Sequence, residues 1–311
     1  MEELIKLRDI LDQKFSLTEI QALCAELEMD YDTLGAGSLS EKIISLLARL
    51  KHLDEVGKLV SLIAKYRPDI DLSFFSGNIT DLTSRHRPAG PGSSISNGRG
   101  GMATFGCLVA SRHNPEDLYI LCDGSGMFAG GLNDGDMIVQ PAMADNGNLE
   151  TDLIGLVSDF VLPSAGGSSG AFNLSAAIAS VTDPKAVSPQ LPDGNFLQDD
   201  AEPHVGQSVK GFGRSSGEVR GEILSIDASV TIPWVFQNGD QEQVEFQGLV
   251  ETTPMMAAGD SGIVIFDDAF RPVGLGFAAS QTSSLFFPID RVLDYFEIDI
   301  VTESFWRHYR T

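Results

Sequence analysis

The segment Ala257-Ala258-Gly259-Asp260-Ser261-Gly262, running into the apolar stretch Ile263-Val264-Ile265-Phe266, constrains this chain more than any other feature. Glycines at 259 and 262 permit a sharp backbone turn. Such a turn aims the N–H groups of Gly259 and Ser261 into one small space, an oxyanion hole, and projects the Ser261 hydroxyl beside it. A serine hydroxyl is a weak nucleophile unless a base takes its proton. Ser261 is the candidate nucleophile, and the chain must be searched for its base.

At 311 residues the chain is long enough for two domains, and 42% hydrophobic with 21% charged residues is a globular composition. No apolar run reaches the roughly 18 residues of a membrane-spanning helix. The start Met1-Glu2-Glu3-Leu4 has neither the basic nor the apolar region of a signal peptide. Cys24, Cys107 and Cys122 are an odd, sparse set with no metal-ligand spacing, which fits a reducing cytoplasm rather than a disulfide scaffold. The expectation is a cytoplasmic protein without metal or cofactor. Of the net charge of −23, residues 1–72 carry −5 and the remainder −18. Phosphate backbones and anionic membranes repel such a chain, so neither nucleic acid nor membrane is an expected partner. The charge serves solubility, or it steers a basic partner protein.

Residues 1–72 read as helices. Leu4, Ile5, Leu7, Ile10 and Leu11 form a stripe at helical spacing. Ser16-Leu17-Thr18-Glu19 is a capping box for a second helix to about Glu28. Leu34-Gly35-Ala36-Gly37 is a loop, Ser40 can cap a third helix to about Leu53, and a fourth ends near Tyr66, before Arg67-Pro68. His52 stands alone among apolar and basic neighbours and has no expected chemical role. Residues 73–101, with Arg87-Pro88-Ala89-Gly90-Pro91-Gly92-Ser93-Ser94, read as a flexible linker. From 102 onward short strands alternate with Gly-rich turns, the pattern of β-barrels or sandwiches. They include Thr104–Ala110, Leu118–Cys122, Met137–Val139, Asp152–Phe160, Ala176–Val181, Gln207–Gly211, Glu218–Ile226, Val244–Glu251, Gly262–Phe266 and Pro272–Phe277. Ile289–Phe296 reads as a helix. The aromatic tail, 299–311, packs back on the domain or serves as an exposed docking peptide.

Two resemblances rest on these residues. Leu17-Thr18-Glu19 with Leu23-Cys24, Met29-Asp30-Tyr31-Asp32-Thr33-Leu34, Lys42-Ile43-Ile44-Ser45-Leu46-Leu47 and Tyr66-Arg67-Pro68-Asp69-Ile70 make residues 1–72 resemble a death-like effector-associated domain of bacterial conflict and defence systems. That implies an adaptor that pairs with the matching domain of another protein; a generic helical bundle is the alternative. Residues 102–298 resemble a trypsin-like serine peptidase domain. The marks, in order, are Gly106-Cys107-Leu108-Val109, Tyr119-Ile120-Leu121, Gly135-Asp136-Met137-Ile138-Val139, Ala176-Ala177-Ile178-Ala179, Val209-Lys210-Gly211-Phe212-Gly213, Gly259-Asp260-Ser261-Gly262 and Val273-Gly274-Leu275-Gly276-Phe277. The implied fold class is multidomain, α followed by all-β: a small death-like helical bundle, then a double β-barrel of trypsin-like type.

The resemblance places the family's histidine just after the Tyr-Ile-Leu strand, where this chain reads Asp123-Gly124-Ser125-Gly126-Met127, and its aspartate just before Ala176. Ser125 and Ser175 stand at those positions. A serine hydroxyl can neither take the nucleophile's proton at neutral pH nor orient an imidazole. His113, His204, Asp123 and Lys210 are the replacement bases to examine. Asp260 pairs with a new N-terminus in cleavage-activated relatives, a mode at odds with the domain upstream here. For substrate binding, Met255 is expected near the specificity pocket and Phe277-Ala278-Ala279 as an edge strand open to an extended peptide. The reading is a catalytically degenerate trypsin-like protein, a binding, regulatory or adaptor module of a bacterial defence or stress system recruited through its helical domain. An active serine endopeptidase with a non-standard base is the alternative, and a structural subunit of a larger assembly is the second.

Overall fold

Leucine and isoleucine at helical spacing build the N-terminal unit, Met1–Asp81. Its helices are α1 (Glu2–Lys14), α2 (Leu17–Glu26), α3 (Leu39–His52) and α4 (Val56–Tyr66). They close on Leu7, Leu11, Ile20, Leu23, Ile43, Leu46, Leu50, Leu59 and Ile63. The computed structural model describes the chain outside residues 1, 28, 36, 53–55, 68–69, 71–80, 129–130, 164–172, 237–238 and 310–311, and outside the side chains of 2–3, 52, 58, 61, 64–65 and 127–128. The fourth helix ends at Tyr66 as expected, whereas the expected helix ends at Glu28 and Leu53, the role of the His52 side chain, Ala36 of the loop and residues 73–80 of the linker lie outside the described residues.

The capping box at α2 forms as expected: Ser16 N–H donates to Glu19 Oε2 (2.7 Å) and Glu19 N–H to Ser16 Oγ (3.4 Å). The cap of α3 is Ser38 rather than Ser40. Ser38 N–H donates to Glu41 Oε2 (2.7 Å), and Glu41 N–H returns to Ser38 Oγ (3.3 Å), the same reciprocal arrangement as at α2. Arg67, just past α4, reaches back to Glu19 Oε1 (2.8 Å) and the Lys14 carbonyl (2.8 Å), with its guanidinium over the Phe15 ring.

The second unit, Leu82–Thr311, is antiparallel β-structure. In chain order it contains β1 (Ser94–Ile95), β2 (Ala103–Thr104), β3 (Cys107–Ser111), β4 (Leu118–Cys122), α5 (Gly124–Phe128), β5 (Met137–Val139), β6 (Leu153–Val161) and β7 (Ala176–Val181). The second half holds β8 (Ser208–Gly213), β9 (Gly217–Val235), β10 (Gln241–Thr252), β11 (Val264–Asp267), β12 (Pro272–Ala279), β13 (Ser284–Pro288), α6 (Ile289–Phe296), β14 (Ile298–Ile300) and α7 (Glu303–Tyr309). The first half is a six-stranded sheet in the order β14-β3-β4-β7-β6-β5, and the second is a closed barrel, β10-β13-β12-β11-β8-β9. Phe246 is fully buried where the two halves share a core, with Phe277 at 4.5 Å and Trp234 at 5.8 Å between ring centroids.

The linker expectation needs correction. Residues 82–101 are not a linker. Ser93, Ser94, Ile95, Ser96 and Asn97 are buried, and β1 pairs with β2. Arg85 bonds the buried Asp152 carboxylate (2.6 Å), and Arg87 bonds Gln140 Oε1 (2.6 Å) and the Asp152 carbonyl (3.1 Å). The Pro/Gly composition permits close backbone approach instead of freedom: a Cβ on Gly92, at φ 85°, would lie 2.8 Å from the Phe212 Cβ. The tail packs back on the domain, the first of its two readings. Ile298–Ile300 pairs with β3, and Trp306 is buried on α7. The β9–β10 ribbon is longer than its sequence indicated, because Pro233 within β9 disguises the inward alternation of Val230, Ile232 and Trp234.

Hydrogen bonds from Arg67 and Ser16 hold Glu19 well below its ordinary 4.5, at about 2. A depressed folded value means that its stabilisation is present above about pH 4.5 and lost as pH falls toward about 2. The contact is exposed and its effect small. The Tm difference between the protein and Glu19→Gln, followed by circular dichroism, is expected to be largest near neutral pH and to vanish near pH 2. Truncating the central ring by Phe246→Ala is expected to cost about 3–5 kcal/mol in denaturant unfolding.

Candidate functional site

The Gly-Asp-Ser-Gly turn sits where the two halves of the β-domain meet. Thr104, on β2, donates its N–H to the Ser261 carbonyl (2.9 Å) and its hydroxyl to the Gly259 carbonyl (3.2 Å). Gly262, at φ 92°, lies so close to the first half that a Cβ would be 2.7 Å from the Thr104 carbonyl oxygen and 2.9 Å from the Asp123 nitrogen. The glycine is therefore a requirement of close approach. Asp260 is completely buried and accepts from Ser215 N–H (2.8 Å), Ser216 N–H (3.1 Å), Ser216 Oγ (2.6 Å) and Ala257 N–H (2.8 Å). Its carboxylate is satisfied internally, without a chain terminus.

The segment after β4 folds into the short helix α5, with Asp123 as its cap. Asp123 is completely buried. Its Oδ2 accepts from the Ser125 hydroxyl and from Gly126 N–H (2.8 Å), and its Oδ1 accepts from Ser175 Oγ (2.7 Å). Ser175 Oγ in turn accepts from Ser125 N–H (2.8 Å). Ser125 and Ser175, expected from separate stretches of sequence, are thus in contact beside a third group, Asp123. Burial pushes the Asp123 carboxyl upward, and the serine hydroxyls and backbone N–H groups oppose it.

The described bonds of this arrangement do not reach Ser261. The described bonds of Asp123 go to residues 125, 126 and 175. A Cβ on Gly126 would lie 2.6 Å from Ser261 Oγ, so the backbone of α5 stands against the nucleophile. The other candidates lie elsewhere. His113 is exposed and bonds Glu297 (2.8 Å). His204 sits in an exposed turn with its N–H on Gln207. Lys210 holds its ammonium over the Phe270 ring, 4.1 Å from the centroid. Among the described residues, no basic group bonds Ser261 Oγ, and no cluster could hold a metal.

The residues expected to bind substrate divide. Met255 packs in the barrel's interior core with Val219, Ile223 and Phe286, and a Cβ on Gly221 would lie 2.8 Å from its sulfur. Its apolar thioether is satisfied by packing. The Phe277 ring is likewise in the core, 4.8 Å from Phe287. The backbone of Ala278 and Ala279 pairs with β13 on one side and has no described strand on the other. Sequence reasoning missed the capping role of Asp123, although Asp-Gly-Ser-Gly after a strand is a helix-start signal. It also missed Arg214, whose Nε (2.7 Å) and Nη2 bond Asp145, while Nε also bonds Ser94 Oγ (3.0 Å). Nothing in one sequence pairs residues that far apart.

Residues 7–68 match the family model for Effector-associated domain 7. No curated protein matches the chain. Among solved structures it is similar to Thermobifida fusca Protease A (18% identity, 68% of this chain and 98% of that one, TM-score 0.48). It is also similar to Nocardiopsis Protease (14%, 68% and 97%, TM-score 0.49) and to Cellulomonas bogoriensis chymotrypsin (16%, 68% and 98%, TM-score 0.43). Residues 7–68 thus carry the likeness to an effector-associated domain, and the second unit is a six-stranded sheet with a closed six-stranded barrel. Among the described residues, no helix is long and apolar enough to cross a membrane.

Replacing Ser175 by Asp sets a second carboxylate against Asp123 in a buried site. Ser175→Asp is expected to destabilise the protein by about 3–5 kcal/mol at pH 8 and by less as pH falls, because two close buried carboxylates favour taking up a proton. Unfolding in denaturant at pH 8 and at lower pH measures the difference.

Proposed function

We propose that the β-domain is a catalytically degenerate protease module that binds or regulates rather than cleaves, in a bacterial defence or stress system, and that the effector-associated domain recruits it by pairing with the matching domain of another protein. One observation carries the reading: the position expected to hold the base is Ser125, whose hydroxyl is committed to the buried Asp123, while the Gly126 backbone packs against Ser261 Oγ. Peptide hydrolysis needs a group that takes the nucleophile's proton and returns it to the leaving amine. An oxyanion hole at Gly259 and Ser261 can still polarise a carbonyl, but that alone supports only about 10³–10⁴-fold over water. The cleft is a place for an extended peptide to add along Ala278 and Ala279 through main-chain hydrogen bonds. The acidic β-domain favours a protein partner over nucleic acid or an anionic membrane.

Labelling with a fluorophosphonate probe, beside a Ser261→Ala control, tests the loss of chemistry. The reading expects no labelling above the Ser261→Ala background. Ser261-dependent labelling much faster than that of free serine would establish the active endopeptidase instead.

A further inference from the structure

Among the described strands, β14 ends the six-stranded sheet and pairs with β3 alone. Arg112 N–H donates to the Glu297 carbonyl (2.8 Å), and Val301 N–H donates to the Leu108 carbonyl (3.0 Å). Residues 297, 299 and 301 therefore turn their main-chain groups toward β3, because bonded and non-bonded pairs alternate along an antiparallel ladder. The N–H and C=O groups of Ile298 and Ile300 point the other way, to the open edge of the sheet, and bond no described residue. Yet Ile298 is 1% exposed and Ile300 8%. Main-chain groups of residues this buried are nearly always paired, so the edge lacks a partner strand.

Ile300 also lines an open cleft of about 620 Å³, together with Asp199, Asp200, Asp299 and Phe305. Asp199 and Asp200 lie on the stretch between the two halves of the domain. That stretch is tied to the barrel on both sides of them: Gln198 N–H donates to the Phe270 carbonyl (2.9 Å) and Ala201 N–H to the Pro272 carbonyl (2.9 Å). Both aspartates are exposed, and neither carboxylate bonds or pairs with a described residue. Asp299, by contrast, is held by Arg112 Nε (2.8 Å). The cleft thus carries two uncommitted negative charges on an anchored backbone. Phe305, stacked on Tyr309 (6.2 Å between centroids), adds an aromatic ring to its wall. Such a ring attracts a cation and covers the aliphatic stem behind it.

We propose that this cleft docks an extended, Lys- or Arg-bearing segment of a partner protein, which pairs with the open edge of β14 and brings a cationic side chain to Asp199 and Asp200. Main-chain bonds to Ile298 and Ile300 supply affinity, and the carboxylates select for positive charge. The inference does not depend on the state of Ser261.

The test titrates the ¹⁵N-labelled full chain, at low salt, with an acetylated and amidated tetrapeptide of alternating valine and arginine. Its citrulline analogue, in which each guanidinium is a neutral urea, and spermidine, a polycation with no peptide backbone, are the comparisons. The proposal expects the assigned Ile298 and Ile300 amide signals to shift with the arginine peptide. It also expects that peptide to bind at least about fivefold tighter than the citrulline one. The double variant Asp199→Asn, Asp200→Asn should lose that preference and keep its folded spectrum, since neither carboxylate has a described partner to lose. Methylating the peptide's amide nitrogens should weaken binding by about tenfold. Equal binding of the arginine and citrulline peptides, spermidine binding as tightly as the peptide, shifts confined to other residues, or no binding of the arginine peptide each overturns it.

Discussion

A buried carboxylate must be supplied with donors, and the way Asp123 obtains them shapes the site around Ser261. Asp123 has no exposed surface, and the chain answers with two hydroxyls and the Gly126 amide. That demand explains three features together. Ser125 and Ser175 turn toward each other rather than toward Ser261. The helix α5 starts where it does because Asp123 caps it. The α5 backbone then lies close enough to Ser261 Oγ that residue 126 has room only for glycine. The groups bonded to Asp123 are thus committed to it and not to Ser261 among the described contacts.

The two halves are joined by a second set of polar contacts. Arg214 leaves the β8–β9 turn to meet Asp145 and Ser94, in an ion pair whose side chains are only 12% and 14% exposed. Asp260 fastens the following residues, Ser215 and Ser216, from the other side. The turn carrying Arg214 is thus fixed both to the nucleophile turn and to the 82–101 segment. Truncating either partner of a pair this buried leaves an uncompensated charge, so the segment that looks like a linker in sequence works as a strap across the domain.

Much of the architecture was legible in the sequence because it follows from local rules. The Ser16–Glu19 box, the helical stripes and the short strands bounded by glycine came through. What stayed hidden depends on contacts distant in sequence. Pro and Gly at 88–92 read as flexibility, yet their packing against Phe212 and the Arg87–Gln140 bonds make the segment part of the fold. Met255 reads as a pocket wall from its spacing to Ser261, and only the folded barrel shows its thioether packed against Gly221. Asp123 could be weighed from sequence as a base; only its three partners show it to be a cap.

The central claim is that Ser261 has no proton acceptor, and the pH dependence of its acylation by p-nitrophenyl acetate addresses that most directly. A nucleophile assisted by a side chain shows a rate that levels off above the pKa of its base; an unassisted hydroxyl follows hydroxide. The account predicts that the difference in rate between the protein and Ser261→Ala rises steadily between about pH 6 and 9 and stays near that of free serine. A plateau in that range, with an apparent pKa near neutrality, would contradict it.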